Sequence, residues 1–249
     1  MSYNPFTLEG KTILVTGASS GIGRTTAIEC SRMGAQMVIT ARNEERLKET
    51  FSALESEGHQ MLLADLGNEE DLDKLVGELP KLDGIVNNAG FTKTLPLQFV
   101  KREQLVEVLT VNTIAPILLL HKTLKKKLLN NGSSIVFTSS IAGLGLTAPG
   151  NSMYTSSKGA ISAYIKNAAL ELASKKIRVN AVCPGMVNTG ILELGTVTAT
   201  QLEEDEKKYP LGRYGEPRDI ALAIIYLLSN ASVWVTGTNL IIDGGISLK

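Results

Sequence analysis

The chain has 249 residues, 43% of them hydrophobic, with 25 lysines and arginines against 25 aspartates and glutamates and a formal net charge of zero. That is enough for one large α/β domain or two small ones, with a sizeable core. Balanced charge without a basic stripe argues against nucleic acid as a partner, and Lys125-Lys126-Lys127, the densest basic run, reads as a solvated helix face. Met1 to Lys11 lacks the apolar run of a signal peptide, and no segment carries roughly eighteen or more apolar residues, so no membrane partner is expected. Cys30 and Cys183 share no short metal-binding spacing with His59 or His121. They read as buried free thiols of a cytoplasmic protein, and no metal is expected.

In chain order, the first strand is Lys11 to Thr16, followed by a helix from Gly21 to about Gly34. Gln36 to Ala41 is the second strand, and Asn43 then caps a helix whose first turn carries Glu44 and Glu45, where they suit the helix dipole. Met61 to Ala64 is the third strand, ended by Asp65, with a helix from Asn68 to Leu79 and a fourth strand from Gly84 to Asn87. A long helix is expected from Arg102 to Leu129, kinked at Pro116. Ser134 to Ser139 is a strand, Ser152 to Ser174 a helix, Ile177 to Val182 strand six, Glu216 to Ser229 a helix, and Asn239 to Ile242 the last strand. This alternation predicts one parallel sheet with helices on both faces. Gly185 to Gly215 is the longest break in the rhythm, and it is expected to fold over the C-terminal edge of the sheet, where ligands bind in such folds.

Two local patterns carry chemistry. Gly17, Gly21 and Gly23 lie between the first strand and its helix, where glycine allows a tight turn and close backbone approach to a pyrophosphate at a helix N-terminus. Their G-x-x-x-G-x-G spacing differs from the common dinucleotide fingerprint G-x-G-x-x-G. Tyr154 and Lys158, four residues apart, share one helix face. A phenol ionises near pH 10, and a neighbouring ammonium pulls that value down toward one useful for proton transfer.

Together with Thr16-Gly17-Ala18-Ser19-Ser20-Gly21-Ile22-Gly23 and Tyr154-x-x-x-Lys158, the runs Asn87-Asn88-Ala89-Gly90, Pro184-Gly185, Pro210-Leu211-Gly212-Arg213 with Gly215-Glu216-Pro217, and Asp243-Gly244-Gly245 resemble the short-chain dehydrogenase/reductase family across nearly the whole chain. The flavour is that of its 3-oxoacyl-carrier-protein reductases. The resemblance implies a single-domain, Rossmann-type, doubly wound parallel sheet over residues 1–249, with a substrate lid at about 186–215. It implies that Asn112, Ser140, Tyr154 and Lys158 are catalytic: Tyr154 exchanges a proton with the substrate oxygen, Ser140 orients that oxygen, Lys158 tunes the phenol and binds the nicotinamide ribose, and Asn112 holds a water that relays protons to Lys158. Ser140 rather than Ser139 is chosen because Ile141-Ala142-Gly143 follows it.

The cofactor set is Gly17, Ser19, Ser20, Gly21, Ile22, Gly23, Arg42, Asp65, Leu66, Asn88, Ala89, Gly90, Tyr154, Lys158, Pro184, Gly185, Val187 and Thr189. Ser19 and Ile22 touch the phosphates, Asp65 the adenine amine, and Thr189 the nicotinamide carboxamide. Strand two ends in Thr40-Ala41-Arg42-Asn43, with no carboxylate to hold a ribose 2′-OH and a guanidinium suited to a 2′-phosphate, so NADP(H) is favoured over NAD(H). The alternative is that Arg42 pairs with Glu44 or Glu45.

The pocket wall is expected from Phe91 to Leu97, Leu144 to Met153 and Met186 to Tyr209, mainly apolar and with no buried cation to clamp a carboxylate. Glu203 to Lys208 reads as the exposed face of a lid helix. The leading reading is an NADP(H)-dependent oxidoreductase of a ketone or secondary alcohol, with a 3-oxoacyl thioester first and a sugar or other small ketone second. Carrier protein docking would use Lys125 to Lys127 and Lys175-Lys176 if they lay near the entrance. The competing classes are a non-catalytic nucleotide-binding regulatory protein and an epimerase or dehydratase, which would need an extra C-terminal domain. Family members assemble as homotetramers or homodimers through the two long helices and the last strand.

Overall fold

The computed structural model describes residues 3–189 and 204–248. Seven apolar runs become strands: β1 (Thr12–Thr16), β2 (Gln36–Ala41), β3 (Gln60–Leu63), β4 (Leu82–Asn87), β5 (Leu129–Thr138), β6 (Arg178–Pro184) and β7 (Asn239–Ile242). They form one sheet in the order β3-β2-β1-β4-β5-β6-β7, and every neighbouring pair is parallel. The strand order reverses between β1 and β4, which opens a crevice at their C-terminal ends.

The helices are α1 (Gly21–Arg32), α2 (Glu44–Ser52), α3 (Glu69–Glu78), α4 (Arg102–Leu109), α5 (Ala115–Lys125), α6 (Ser152–Leu172) and α7 (Pro217–Leu228). Because successive strand residues point to opposite faces, Ile13 and Val15 pack with α1, α2 and α7 while Leu14 between them packs with α3, α5 and α6. The same alternation puts Ile85 in one core and Val86 in the other. A strand buried on both faces must be apolar throughout, which is why these runs read as continuous rather than alternating.

The long helix expected over 102–129 is divided. A π-helical turn, Thr110–Ile114, joins α4 to α5. Pro116 is the second residue of α5, and having no N–H it cannot donate to the carbonyl of Asn112, four residues back. The irregularity therefore falls before the proline. Helix α5 stops at Lys125: Lys127 takes a left-handed φ of 55°, and the N–H of Leu128 returns to the Thr123 carbonyl at 2.9 Å. Strand β5 consequently starts at Leu129, five residues before the expected Ser134, and its pairing with β4 shifts register between Leu82 and Gly84. The rod Arg102–Lys125 is long and apolar enough to cross a membrane by length and composition, its most apolar window having a mean hydropathy of 1.4, although it holds no uninterrupted apolar run of that length. Here it forms part of the helical layer, packing on α6 and α3.

Lys127 and Lys175 lie with Lys81 around a cavity of about 310 Å³ beside Leu129 and Ile177, at the N-terminal edge of β4, β5 and β6. That is the opposite end of the strands from Tyr154, so the basic run does not border this chain's own cleft.

Candidate active site

The glycine-rich turn is shaped by contacts that admit no side chain. Gly17 has a φ of 65°, and a Cβ there would come within 2.8 Å of Ala89 Cα. A Cβ on Gly23 would approach the Gly17 carbonyl oxygen to 2.2 Å and Asn88 Nδ2 to 2.5 Å. Gly21 (φ 51°) faces Thr189 across the crevice, its notional Cβ 3.1 Å from Thr189 Cγ2. Ser20 precedes α1 without a capping side-chain bond, and no acidic residue lies in the first turn. The first N–H groups of α1 therefore face the crevice uncompensated, an arrangement that suits a pyrophosphate. Ser19 and Ile22 lie in this turn, half-buried.

Asn88 ties the crevice walls together. Its backbone N–H and that of Ala89 donate to Thr16 Oγ1 at 3.0 and 3.1 Å, and its Oδ1 accepts from Thr138 Oγ1 at 3.2 Å. Asp65 closes the turn into α3 by accepting from Gly67 N at 2.9 Å. The side chain of Leu66 is buried in the core beside α3, so it presents backbone rather than side chain to any ligand. Arg42 is exposed at the end of β2, and no hydrogen bond or ion pair of its side chain is found among the described residues; Glu44 instead pairs with Lys48 at 2.7 Å. Beyond β6, Gly185 lies against Asp243, Val187 bridges to Gly215, and Met186 N donates to Tyr209 Oη at 3.2 Å. These contacts set Pro184, Gly185, Val187 and Thr189 along the opposite side of the crevice.

The four residues named as catalytic converge at the C-terminal ends of β4 to β6. Lys158 is 5% exposed; its Nζ donates to the Thr138 carbonyl at 2.7 Å and lies 5.7 Å from the Tyr154 ring centroid. A Cβ on Gly90 would sit 3.1 Å from Asn112 Oδ1 and 3.4 Å from Lys158 Nζ, so this glycine keeps the two groups in reach of each other. Asn112 is 2% exposed and its amide is fully engaged: Oδ1 accepts from Phe91 N at 3.0 Å, and Nδ2 donates to Phe91 O at 2.9 Å and to Ser157 Oγ at 3.0 Å. What it has left to offer a water is its backbone carbonyl, the group that Pro116 leaves without its usual donor. Ser140 caps the turn Ile141–Leu144 by accepting from Ala142 N at 3.1 Å.

Burial dominates the electrostatics. It lowers the Lys158 ammonium to about 8, with Cys183 acting weakly against it. It raises the Tyr154 phenol above its ordinary value, with the Ser140 hydroxyl acting in the opposite direction. The depression of the phenol expected from Lys158 does not appear: the shift is upward, set by desolvation of the hydroxyl and opposed by the Ser140 hydroxyl. Cys183 is buried and free, and burial pushes its thiol up to about 11 against hydrogen bonds from Ser139, the Ser140 backbone and Ser162.

Several contributors lie outside the set read from the sequence. The Thr138 carbonyl seats Lys158. Ser139 Oγ donates to the Lys158 carbonyl at 3.0 Å, and Thr113 Oγ1 to the Ser157 carbonyl at 2.9 Å, clamping α6 where it carries the Tyr–Lys pair. Ser139, one of the serine pair, is buried in this packing role rather than facing the crevice.

With this geometry in place, comparison with known proteins decides the family. The sequence matches the family model described as enoyl-(acyl carrier protein) reductase over residues 17–247. The chain belongs to the short-chain dehydrogenase/reductase family. It is 35% identical over 239 residues to the 3-oxoacyl-(acyl-carrier-protein) reductase of Rickettsia bellii, covering 96% of this chain and 98% of that one. It is 34% identical over 246 residues to a glucose 1-dehydrogenase of Gluconobacter oxydans, covering 96% and 92%. Among solved structures, the RhlG/NADP active-site complex of Pseudomonas aeruginosa superposes with a TM-score of 0.90 at 30% identity, over 98% of this chain and 99% of that one. Like its family, this chain is an NAD(P)-dependent oxidoreductase with a single-domain parallel-sheet fold.

The crevice fits the dinucleotide: glycine backbone replaces side chains where the pyrophosphate would lie, and polar termini line both walls. Of the residues expected to form the pocket wall, Ile191 and Leu192 lie outside the described residues, as does Glu203 of the expected lid helix. In the described part of that segment, Lys208 pairs with Asp205 at 2.9 Å, and Tyr214 Oη donates to Asp205 Oδ2 at 2.8 Å. His59 accepts from Met37 N at 3.0 Å, a structural role, and no cluster of metal-binding side chains occurs among the described residues.

Proposed function

We propose that the chain is an NADP(H)-dependent reductase of ketones, working reversibly on secondary alcohols, with a 3-oxoacyl thioester as its first substrate class. The observation that carries this reading is the convergence of Ser140, Tyr154, Lys158 and Asn112 at the end of a crevice whose other end is the glycine turn. The bound nicotinamide supplies the hydride. Tyr154 gives a proton to the substrate oxygen as negative charge develops there, and Ser140 hydrogen-bonds the same oxygen. Lys158 holds ribose hydroxyls and stabilises the phenolate in the reverse direction. The backbone carbonyl of Asn112 holds the water through which Lys158 is reprotonated. Arg42, with no acidic partner among the described residues, takes the 2′-phosphate, which favours NADP(H) over NAD(H). The lid spans about 186–215.

The relatives support both a carrier-linked acyl ketone and a sugar. The thioester is preferred because the open cleft walls are apolar. We place the protein in the cytoplasm, on the likeness to its curated relatives, as a homo-oligomer, tetramer or dimer.

The test is the initial rate of NADPH oxidation with a short 3-oxoacyl thioester, NADH run in parallel. Turnover with NADPH well above that with NADH is expected. Tyr154→Phe should keep NADPH binding and lose turnover by a factor on the order of 10² or more. Near-wild-type turnover in that variant refutes the mechanism, and equal use of the two cofactors refutes the role of Arg42.

A further inference from the structure

The open walls of the cleft carry large apolar side chains. Leu144 and Leu146, between Ser140 and Tyr154, are 40% and 41% exposed, and Met186, after β6, is 42% exposed. The loop after β4 is pinned onto this wall: Leu95 N donates to the Gly150 carbonyl at 2.9 Å, and Thr94 Oγ1 to Asn151 Oδ1 at 3.3 Å.

The segments that build these walls, 91–97, 141–153 and 184–189, contain one cation, Lys93. Its Nζ is held by Glu107 Oε2 of α4 at 2.7 Å. In the next segment, 204–215, Lys208 and Arg213 are paired with Asp205 and Asp219, and Lys207 stands among Glu204, Asp205 and Glu206. The sequence of 190–203 contains no lysine or arginine. Lys158 is spent on the Thr138 carbonyl beneath Tyr154. A carboxylate close to a reacting carbonyl would shed its water here with no unpaired cation on the described wall segments 91–97, 141–153 and 184–189 to receive it, whereas an ester or thioester in the same place loses little.

We propose that the cleft selects neutral ketones and rejects those bearing a carboxylate near the carbonyl, with the Lys93–Glu107 pair as the specificity determinant. The inference rests on the ketone-reductase reading. It goes further by dividing neutral acyl ketones from keto acids, including sugar acids. The discrimination works by withholding a partner from the wrong substrate rather than by adding contacts to the right one.

The experiment uses a matched pair with the same reacting centre, ethyl 3-oxobutanoate and the 3-oxobutanoate anion, at saturating NADPH. The ester is expected to show a kcat/KM greater than that of the anion by on the order of tenfold or more. Equal values, or a preference for the anion, overturn the inference and leave the reductase reading standing. Glu107→Gln leaves Lys93 uncompensated without touching the catalytic set. It should raise kcat/KM on the anion several-fold and leave the ester within about twofold. An unchanged anion rate in a folded Glu107→Gln protein overturns the role given to the pair. Turnover of neither compound, with NADPH still bound, overturns the reductase reading and this inference with it.

Discussion

At the scale of single residues, the site is governed by how deeply its charges are buried. Lys158 has an ordinary value of 10.5 and is lowered by burial to about 8. The unfolded chain therefore binds more protons at this position between those two values, so stability rises with pH across that window. The penalty is full below about pH 8 and fades as pH approaches 10.5. Relative to Lys158→Met, the wild type should gain about 2 kcal/mol between pH 7 and 9.5. Denaturant unfolding of both proteins at the two pH values checks this, and a difference independent of pH shows that the ammonium is not held at so low a value. The residue types of the candidate site were legible in the sequence, since Tyr154, Lys158 and the three glycines stand in a recognisable order. The seat of the lysine was not, because a backbone carbonyl such as that of Thr138 carries no residue signal.

At the scale of elements, the catalysis proposed for Tyr154 and Lys158 depends on the seating of α6 against the end of β5. Ser139 and Thr113 hold the carbonyls of Lys158 and Ser157, and Gly143 lets the two elements approach. A Cβ on Gly143 would fall 2.6 Å from the Lys158 carbonyl carbon and 2.9 Å from Gly159 N, both backbone atoms that cannot swing aside. Gly143→Ala should therefore displace the helix. It is expected to cost about 1–3 kcal/mol of stability and to lower kcat roughly a hundredfold through misplacement of Tyr154. Urea unfolding and steady-state kinetics measure the two effects; full activity would show that the contact tolerates a methyl group. Most elements were foreseen because their apolar runs are bounded by glycine and capping residues such as Asn43 and Asn68, whose side chains accept from Arg46 N and from Glu70 N. The misplaced boundary at Leu129 has a physical cause. Lys126 and Lys127 are good helix formers, and the left-handed turn that ends α5 is made at a lysine rather than at a glycine.

At the scale of the whole molecule, apolar surface gathers around the edge strand β7. Trp234 is 97% exposed, Leu170 77%, Val233 66% and Leu222 50%, and Ile241 of β7 itself 47%. An edge strand with no further partner among the described residues, bordered by such side chains, is a surface that monomeric proteins avoid. The homo-oligomer proposed above predicts a sedimenting mass at a multiple of 26.7 kDa, and Trp234→Glu should shift it toward that single-chain value. A wild-type protein that sediments as one chain at micromolar concentration rejects the assembly.

The sequence by itself determined the layered α/β class and the place of the glycine-rich turn, because periodicity and glycine spacing are local properties, while the candidate catalytic set came from the resemblance to the family. Tertiary structure alone decided which groups meet. Gly90 comes between Asn112 and Lys158, Thr189 opposite Gly21, and Lys93 onto Glu107. It also placed the basic residues Lys127 and Lys175 at the far end of the strands from the cleft. Those outcomes depend on strand order and on the angle at which each helix is seated, and both arise from packing between segments far apart in the chain.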